Sequence, residues 1–330
     1  MKFYSQSICS LIVCAFILFS CGGEVQKVQN QKNDSETPQK PLVKAPDFNA
    51  DSAFYFIQKQ VEFGPRIPNT PAHKKCGEWL YAKLKSYTPE VIAQQAEVTA
   101  YTGEPLSIVN YMARFNPTSS NRILLCAHWD TRPFADKDPQ NPKAKFDGAD
   151  DGASGVGILI EIARLISIQA PAAGIDIVLF DGEDYGNSEG EAETYCLGAQ
   201  YWAANLPVKG YYAKFGILLD MVGAKNAKFN REGYSSSTAI STLDKVWNTA
   251  SRLGYAQYFI NNNVPGITDD HIFVNQKTGI PVIDIINYDK AQSKYGFPAH
   301  WHTQNDNISI IDKNTLKAVG ETVLDVIYNE

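Results

Sequence analysis

The sequence carries no surplus of basic charge. Its 30 Lys and Arg against 36 Asp and Glu leave a net charge of −6, the opposite of the basic excess that drives nucleic-acid binding, so no nucleic-acid partner is expected. Cysteine is scarce. Of six in the chain, only Cys76, Cys126 and Cys196 lie beyond the N-terminal segment. An odd number leaves a free thiol or an intermolecular bridge. Their spacing fits no metal-binding pattern, so they read as core residues. There is no apolar run long enough to span a bilayer comfortably, no internal repeat, and no sign of a second core. Histidine is also sparse, at five residues, yet four of them (His128, His271, His300 and His302) stand close to acidic residues.

What is present begins with a targeting segment. Lys2 precedes an apolar run over 8–19, and Leu18-Phe19-Ser20-Cys21-Gly22 resembles a bacterial lipobox. Residues 1–20 are expected to be a lipoprotein signal peptide, with Cys21 lipidated as the new N-terminus; ordinary signal cleavage is the alternative. Residues 21–48, rich in Gln, Lys, Asn, Ser and Pro, read as a disordered tether, and 49–330 as one catalytic domain. The expected location is the bacterial cell envelope, lipid-anchored and facing or within the periplasm.

With 44% hydrophobic residues, the chain can bury a sizeable core. Helical spacing appears over 51–63, 71–85, 152–168, 194–204, 237–253 and 312–328, with a helical turn over 269–276. Strands are expected over 91–102, 107–115, 123–127, 175–180, 215–221, 255–260 and 281–286. Several are continuous apolar runs, as strands covered on both faces would be. The fold class is therefore α/β: a single domain with a central mixed, mostly parallel β-sheet flanked by α-helices. Ligands of such sheets bind at the carboxyl ends of the strands. His128 and Asp130, Asp150 and Asp151, Glu183 and Asp184, Asp220, Asp269 to His271, and His300 with His302 all fall at those ends or in the loops beside them. So many carboxylates cannot stay ionised together without a cation to offset their repulsion.

The order His-x-Asp, Gly-Ala-x-Asp, Asp-Gly-Glu-Asp, Leu-Leu-Asp-x-x-Gly-Ala, Asp-Asp-His and Trp-His-Thr resembles the zinc aminopeptidase and glutaminyl cyclase superfamily over roughly residues 50 to 330. Thr268-Asp269-Asp270-His271-Ile272-Phe273 and Phe297-Pro298-Ala299-His300-Trp301-His302-Thr303 are similar to the cyclase segments. That resemblance implies a glutaminyl-peptide cyclotransferase, which converts N-terminal glutamine of peptides and proteins to pyroglutamate. It implies one Zn²⁺ per chain, held by Asp151, Asp184 and His302. Asp184 is one methylene shorter than the Glu common at that position in animal cyclases. The resemblance makes Glu183 the proton carrier, held by Asp220 and Asp269, and Ile267, Phe297 and Trp301 the pocket walls. The Trp that animal cyclases carry after the acidic pair is missing, and Tyr185, Tyr195 and Trp129 are candidates to replace it. The loop 134–146 reads as a solvated loop, with a lid or a divalent-ion site as the alternatives, and 190–193 reads as solvated.

The same residues bear on two other functions. A two-zinc aminopeptidase would add His128 and Asp220 as ligands, bridge the metals with Asp151 and activate water through Glu183. A binding lipoprotein without turnover would be missing ligands or the proton carrier, and none is missing.

Overall fold

A computed structural model describes residues 41–330. The signal peptide, Cys21 and most of the tether lie outside the described residues. Within them, the tether boundary moves. The Val43 N–H donates to Asn329 Oδ1 at 2.7 Å, and Phe48 is buried against Gly320. The chain therefore joins the domain from about Val43.

Local chemistry sets the first elements. Helix α1 (Ala50–Glu62) is capped by Asn49, whose side chain accepts from the Ser52 N–H. Helix α2 (Pro71–Lys85) is capped by Thr70 and has Pro71 in its first turn, where the missing N–H costs nothing. Then come β1 (Val91–Thr99), β2 (Pro105–Phe115), β3 (Arg122–His128), α3 (Ala153–Ile168), β4 (Gly174–Phe180), α4 (Leu197–Ala204) and β5 (Phe215–Asp220). A short strand β6 (Phe229–Arg231) and helices α5 (Gly233–Thr238) and α6 (Ile240–Arg252) follow. The last elements are β7 (Phe259–Asn263), α7 (Asp270–Thr278), β8 (Val282–Ile286) and α8 (Lys313–Tyr328).

Three expectations shift. The helix expected over 237–253 is two helices, because Ala239 leaves helical geometry at φ −139° and ψ 35°, and Glu232 caps the first of them. The strand expected over 255–260 lies at β7, since Tyr255 and Tyr258 close a turn before it. Helix α4 starts at Leu197 and not at Thr194, because Cys196 is left-handed at φ 57°.

The six-stranded sheet has the order β1-β2-β4-β3-β5-β8. Strands β4, β3, β5 and β8 run parallel to one another, and β2 is antiparallel to both β1 and β4, so the sheet is mixed and mostly parallel. Successive side chains of a strand point to opposite faces. In β3, Ile123, Leu125 and Ala127 join the core on the side of α1, α3, α6 and α8, while Leu124 and Cys126 join the core beneath α4 and α7. Both faces are covered, which is why the strand reads as an unbroken apolar run. Among the described residues, no helix is long and apolar enough to cross a membrane.

Candidate metal centre and active-site cavity

The parallel strands deliver the acids to one edge. His128 ends β3, Asp220 ends β5, and Glu183 and Asp184 follow β4 by three residues or more. Asp151 precedes α3, Asp269 is the N-cap of α7, and His302 lies in the connection between β8 and α8. The turn into α3 must be Gly152: at φ 90°, a Cβ there would sit 2.8 Å from the Asp130 carbonyl oxygen and 2.9 Å from the His128 ring.

Two buried aspartates hold the two acidic pairs in place. The Asp130 carboxylate accepts the N–H groups of Glu183 at 3.0 Å and Asp184 at 3.2 Å. Asp306 does the same for Asp150 at 2.7 Å and Asp151 at 3.1 Å. Asp150 spends its own carboxylate on the N–H groups of Gly223 and Ala224 and on His300. That leaves Asp151 as the member of its pair free to face the site.

Asp151, Asp184 and His302 converge. One ligand-type atom from each lies within 4.8 Å of the others. His302 Nε2 is 3.2 Å from Asp184 Oδ1 and 3.5 Å from Asp151 Oδ2. Its Nδ1 pairs with Asp136 Oδ1 at 3.0 Å, which fixes Nε2 toward the carboxylates. Asp184 Oδ2 is buried with no hydrogen-bond partner. An orphaned carboxylate oxygen, a second carboxylate and an oriented imidazole fit Zn²⁺ held by three protein ligands with one position open. A second group, His128, Asp151 and Asp220, gathers beside it, with His128 Nε2 3.1 Å from both carboxylates.

The charge of the site is visible in its protons. Burial lowers His302, but Asp184, Asp136 and Asp151 outweigh that and raise it to about 9. Burial raises Asp220 to about 8 against the pull of His128, and Asp269 to about 6. Burial also lifts Glu183 well above the usual carboxylate range, with Asp269 and Asp184 adding to it and His128 opposing. Without a cation, protons offset the crowded carboxylates. Neither Asp220 nor Asp269 hydrogen-bonds the Glu183 carboxylate. Among the described residues that bond comes from Cys196, at 3.2 Å to Oε1, with Asp269 close by.

These side chains line a cavity of about 330 Å³. Ile267, Phe297 and Trp301 form its apolar wall, packed on Met221, Val264, Ile286 and Tyr288. Trp301 stacks on His302 with ring centroids 3.8 Å apart and on Phe297 at 4.4 Å. Of the three candidates for the missing Trp, Tyr195 lines the cavity. A Cβ on Gly186 would fall 2.2 Å from the Tyr195 ring, so the loop admits the ring only with glycine there. Trp129 is buried and stacked on His73, and Tyr185 hydrogen-bonds Glu104.

Two loops that read as solvated belong to the site. In 134–146, Ala135 is buried, Asp136 orients His302 and Lys137 lines the cavity. In 190–193, Gly190 and Ala192 line the cavity, with Asn187, Ser188 and Glu189 just before them. Sequence reasoning also missed Arg132, which is buried and donates to the Asp184 carbonyl and carboxylate oxygens, to the Gly186 carbonyl and to Asp136. It missed Asp306 and the contact of Cys196 with Glu183 as well. The signal available for these was local and weak: an Asp or Arg in a polar loop has no pattern of its own.

An α/β sheet with two carboxylates and an imidazole meeting at the ends of its parallel strands is the architecture of a zinc-type peptidase scaffold. The model of Peptidase family M28 matches residues 110–327, and the chain belongs to that family. The structure is similar to that of a Zn-dependent exopeptidase from Parabacteroides distasonis, 52% identical, with a TM-score of 0.85 over 87% of this chain and 100% of the other. It is similar to the glutaminyl cyclase of Porphyromonas gingivalis, 53% identical, with a TM-score of 0.82 over 84% of this chain and 97% of the other. Among curated proteins, the glutaminyl-peptide cyclotransferase of Drosophila melanogaster is 25% identical, covering 76% of this chain and 73% of its own length.

Proposed function

We propose that the chain is a glutaminyl-peptide cyclotransferase acting on peptides and proteins with N-terminal glutamine. The observation that carries this is the small, aromatic-walled cavity that ends on Glu183 beside Asp151, Asp184 and His302. Its similarity to the glutaminyl cyclase of Porphyromonas gingivalis supports the same reading.

Asp151, Asp184 and His302 would hold one Zn²⁺, which when bound supplies Lewis-acid polarisation of the substrate's γ-carbonyl. The chain's own residues do the rest. Ile267, Phe297 and Trp301 enclose the glutamine side chain and fold its γ-carbonyl toward its own α-amine, so the closure gains the advantage of an intramolecular reaction. A bond forms between the α-nitrogen and the γ-carbonyl carbon, and the bond from that carbon to the amide nitrogen breaks. Glu183 accepts the proton that the α-amine loses and returns it to the departing nitrogen, which leaves as ammonia. Burial favours a proton on Glu183, which suits the carboxyl to carry one between two nitrogens. Asp220 and Asp269 line the same cavity as further buried carboxyls, raised by burial to about 8 and about 6. Water is not a reactant, and the apolar wall keeps it from competing.

The reading extends to location. Lipidation of Cys21 would anchor the enzyme to the bacterial cell envelope, with the tether letting the domain stand off on the periplasmic side.

One observation favours a second reading. The group His128, Asp151 and Asp220 is intact beside the first, as a two-zinc aminopeptidase would require. Substrate choice separates the two. The zinc-loaded protein is incubated with a peptide beginning in Gln and, separately, with a leucine anilide. Ammonia and a pyroglutamyl peptide with no anilide cleavage support the cyclase. Anilide cleavage with an unchanged Gln peptide overturns it.

A further inference from the structure

Three buried thiols, Cys76, Cys126 and Cys196, take no part in the mechanism, but Cys196 touches a residue that does. Cys196 is completely inaccessible, and its sulfur lies 3.2 Å from Glu183 Oε1. The other buried thiol with a hydrogen bond, Cys126, sits 3.7 Å from the Ile217 carbonyl oxygen, an ordinary contact for sulfur in a core. The Cys196 contact is shorter and ends on the carboxylate that carries the proton. It is also built from the backbone outward. The Cys196 N–H donates to the Glu183 carbonyl at 2.8 Å, and the Leu197 N–H to the Gly182 carbonyl at 3.1 Å, so the first turn of α4 is joined to the loop that bears Glu183 and Asp184. Cys196 itself is left-handed at φ 57°, a conformation that a residue with a Cβ seldom adopts. The conformation aims the thiol at the carboxylate.

We propose that Cys196 is a positioning residue for Glu183. Its S–H donates to Oε1 and holds the carboxylate so that Oε2 is the oxygen turned to the substrate's α-amine. This rests on the cyclase reading above. A thiol is a weak donor, and the Glu183 carboxyl oxygen at 3.2 Å is within its reach. Burial, with Glu183, Asp270 and Asp269 adding to it, holds the thiol well above its usual range, so sulfur keeps the proton it donates. The bond sets where the Glu183 oxygens lie during proton transfer, not how the substrate side chain fits the cavity. Its loss should therefore slow the chemical step more than it weakens substrate binding.

The test compares wild type, Cys196→Ala and Cys196→Ser on a Gln peptide, all zinc-loaded, and reads the S–H stretching band of wild type and Glu183→Ala by infrared spectroscopy. Cys196→Ala should lower kcat by about tenfold, the scale of one hydrogen bond, with KM changed less than about twofold. Cys196→Ser, which keeps a donor in place, should recover most of that loss. The Cys196 band, identified by its disappearance in Cys196→Ala, should move to higher frequency in Glu183→Ala, where the acceptor is gone. Equal kcat in all three proteins, or equal losses in Ala and Ser, overturns the proposal. If Cys196→Ala does not fold, Cys196→Ser and the band shift decide. If wild type does not cyclise the peptide, the cyclase reading fails. The contact is then judged on the band alone, and a band that does not move in Glu183→Ala overturns it.

Discussion

Asp136 Oδ1 lies 3.0 Å from His302 Nδ1, and the same carboxylate takes two hydrogen bonds from Arg132. Burial would raise Asp136, but His302 and Arg132 outweigh it and hold the carboxyl well below its usual range. The acid therefore stays charged, holds Nδ1 and turns Nε2 toward Asp151 and Asp184. His302 is itself left-handed at φ 52°, so its placement depends on such support. Asp136→Ala should weaken zinc binding by about 10- to 100-fold, read by competition against a chromogenic chelator. His302→Ala should abolish binding. Unchanged affinity in Asp136→Ala would show that Asp136 has no hold on the ligand.

Asp306 satisfies two buried N–H groups at the entrance to α3, those of Asp150 and Asp151. Asp306→Ala strips both of their partner. At about 1–3 kcal/mol for each buried donor left unpaired, the metal-free protein should lose about 2–6 kcal/mol of stability in denaturant unfolding. A loss below about 1 kcal/mol would mean that water or another acceptor takes over.

Glu183→Gln is nearly isosteric and leaves the ligand residues untouched. Zinc content and unfolding temperature should match wild type, while kcat falls by about 10²- to 10⁴-fold, the usual contribution of a general acid–base group. Near-normal turnover would remove Glu183 from the proton path.

Glu232 lies apart from the ligands and caps α5. Its carboxylate accepts the N–H groups of Ser235 at 2.7 Å and Ile267 at 3.2 Å and faces His271 at 3.3 Å. Burial would raise it, but His271 and Ser235 prevail and lower it from 4.5 to about 2. A depressed carboxyl stabilises the fold fully above its unfolded pKa and loses that contribution as pH falls toward the folded value. Wild-type stability should therefore drop between about pH 4.5 and pH 2, and Glu232→Gln should show a shallower drop in urea unfolding over that range. Parallel profiles would contradict the assignment.

Much of the sheet was readable because β3, β4, β5 and β8 are covered on both faces and leave unbroken apolar runs. The acids at their carboxyl ends stood out for the same reason, being polar where an apolar run stops. The edge strand β1 was expected to run to residue 102 and ends at Thr99. The split at Ala239 was not legible, since the apolar periodicity continues across it. The partners that hold the site were also hidden. Asp136 reaches across 166 residues to His302, and Asp306 across 155 to Asp151. Pairings at such separations leave no local spacing. Cys196 looked like any core cysteine because burial and contact with a carboxylate are not exclusive.

The central claim is a single metal held by Asp151, Asp184 and His302, with Glu183 beside it. Anomalous diffraction at the zinc absorption edge, on crystals of the protein purified with zinc, tests it most directly. The account predicts one peak, within coordination distance of those three side chains. A second peak of similar height between His128 and Asp220, or a first peak that misses His302, would contradict it.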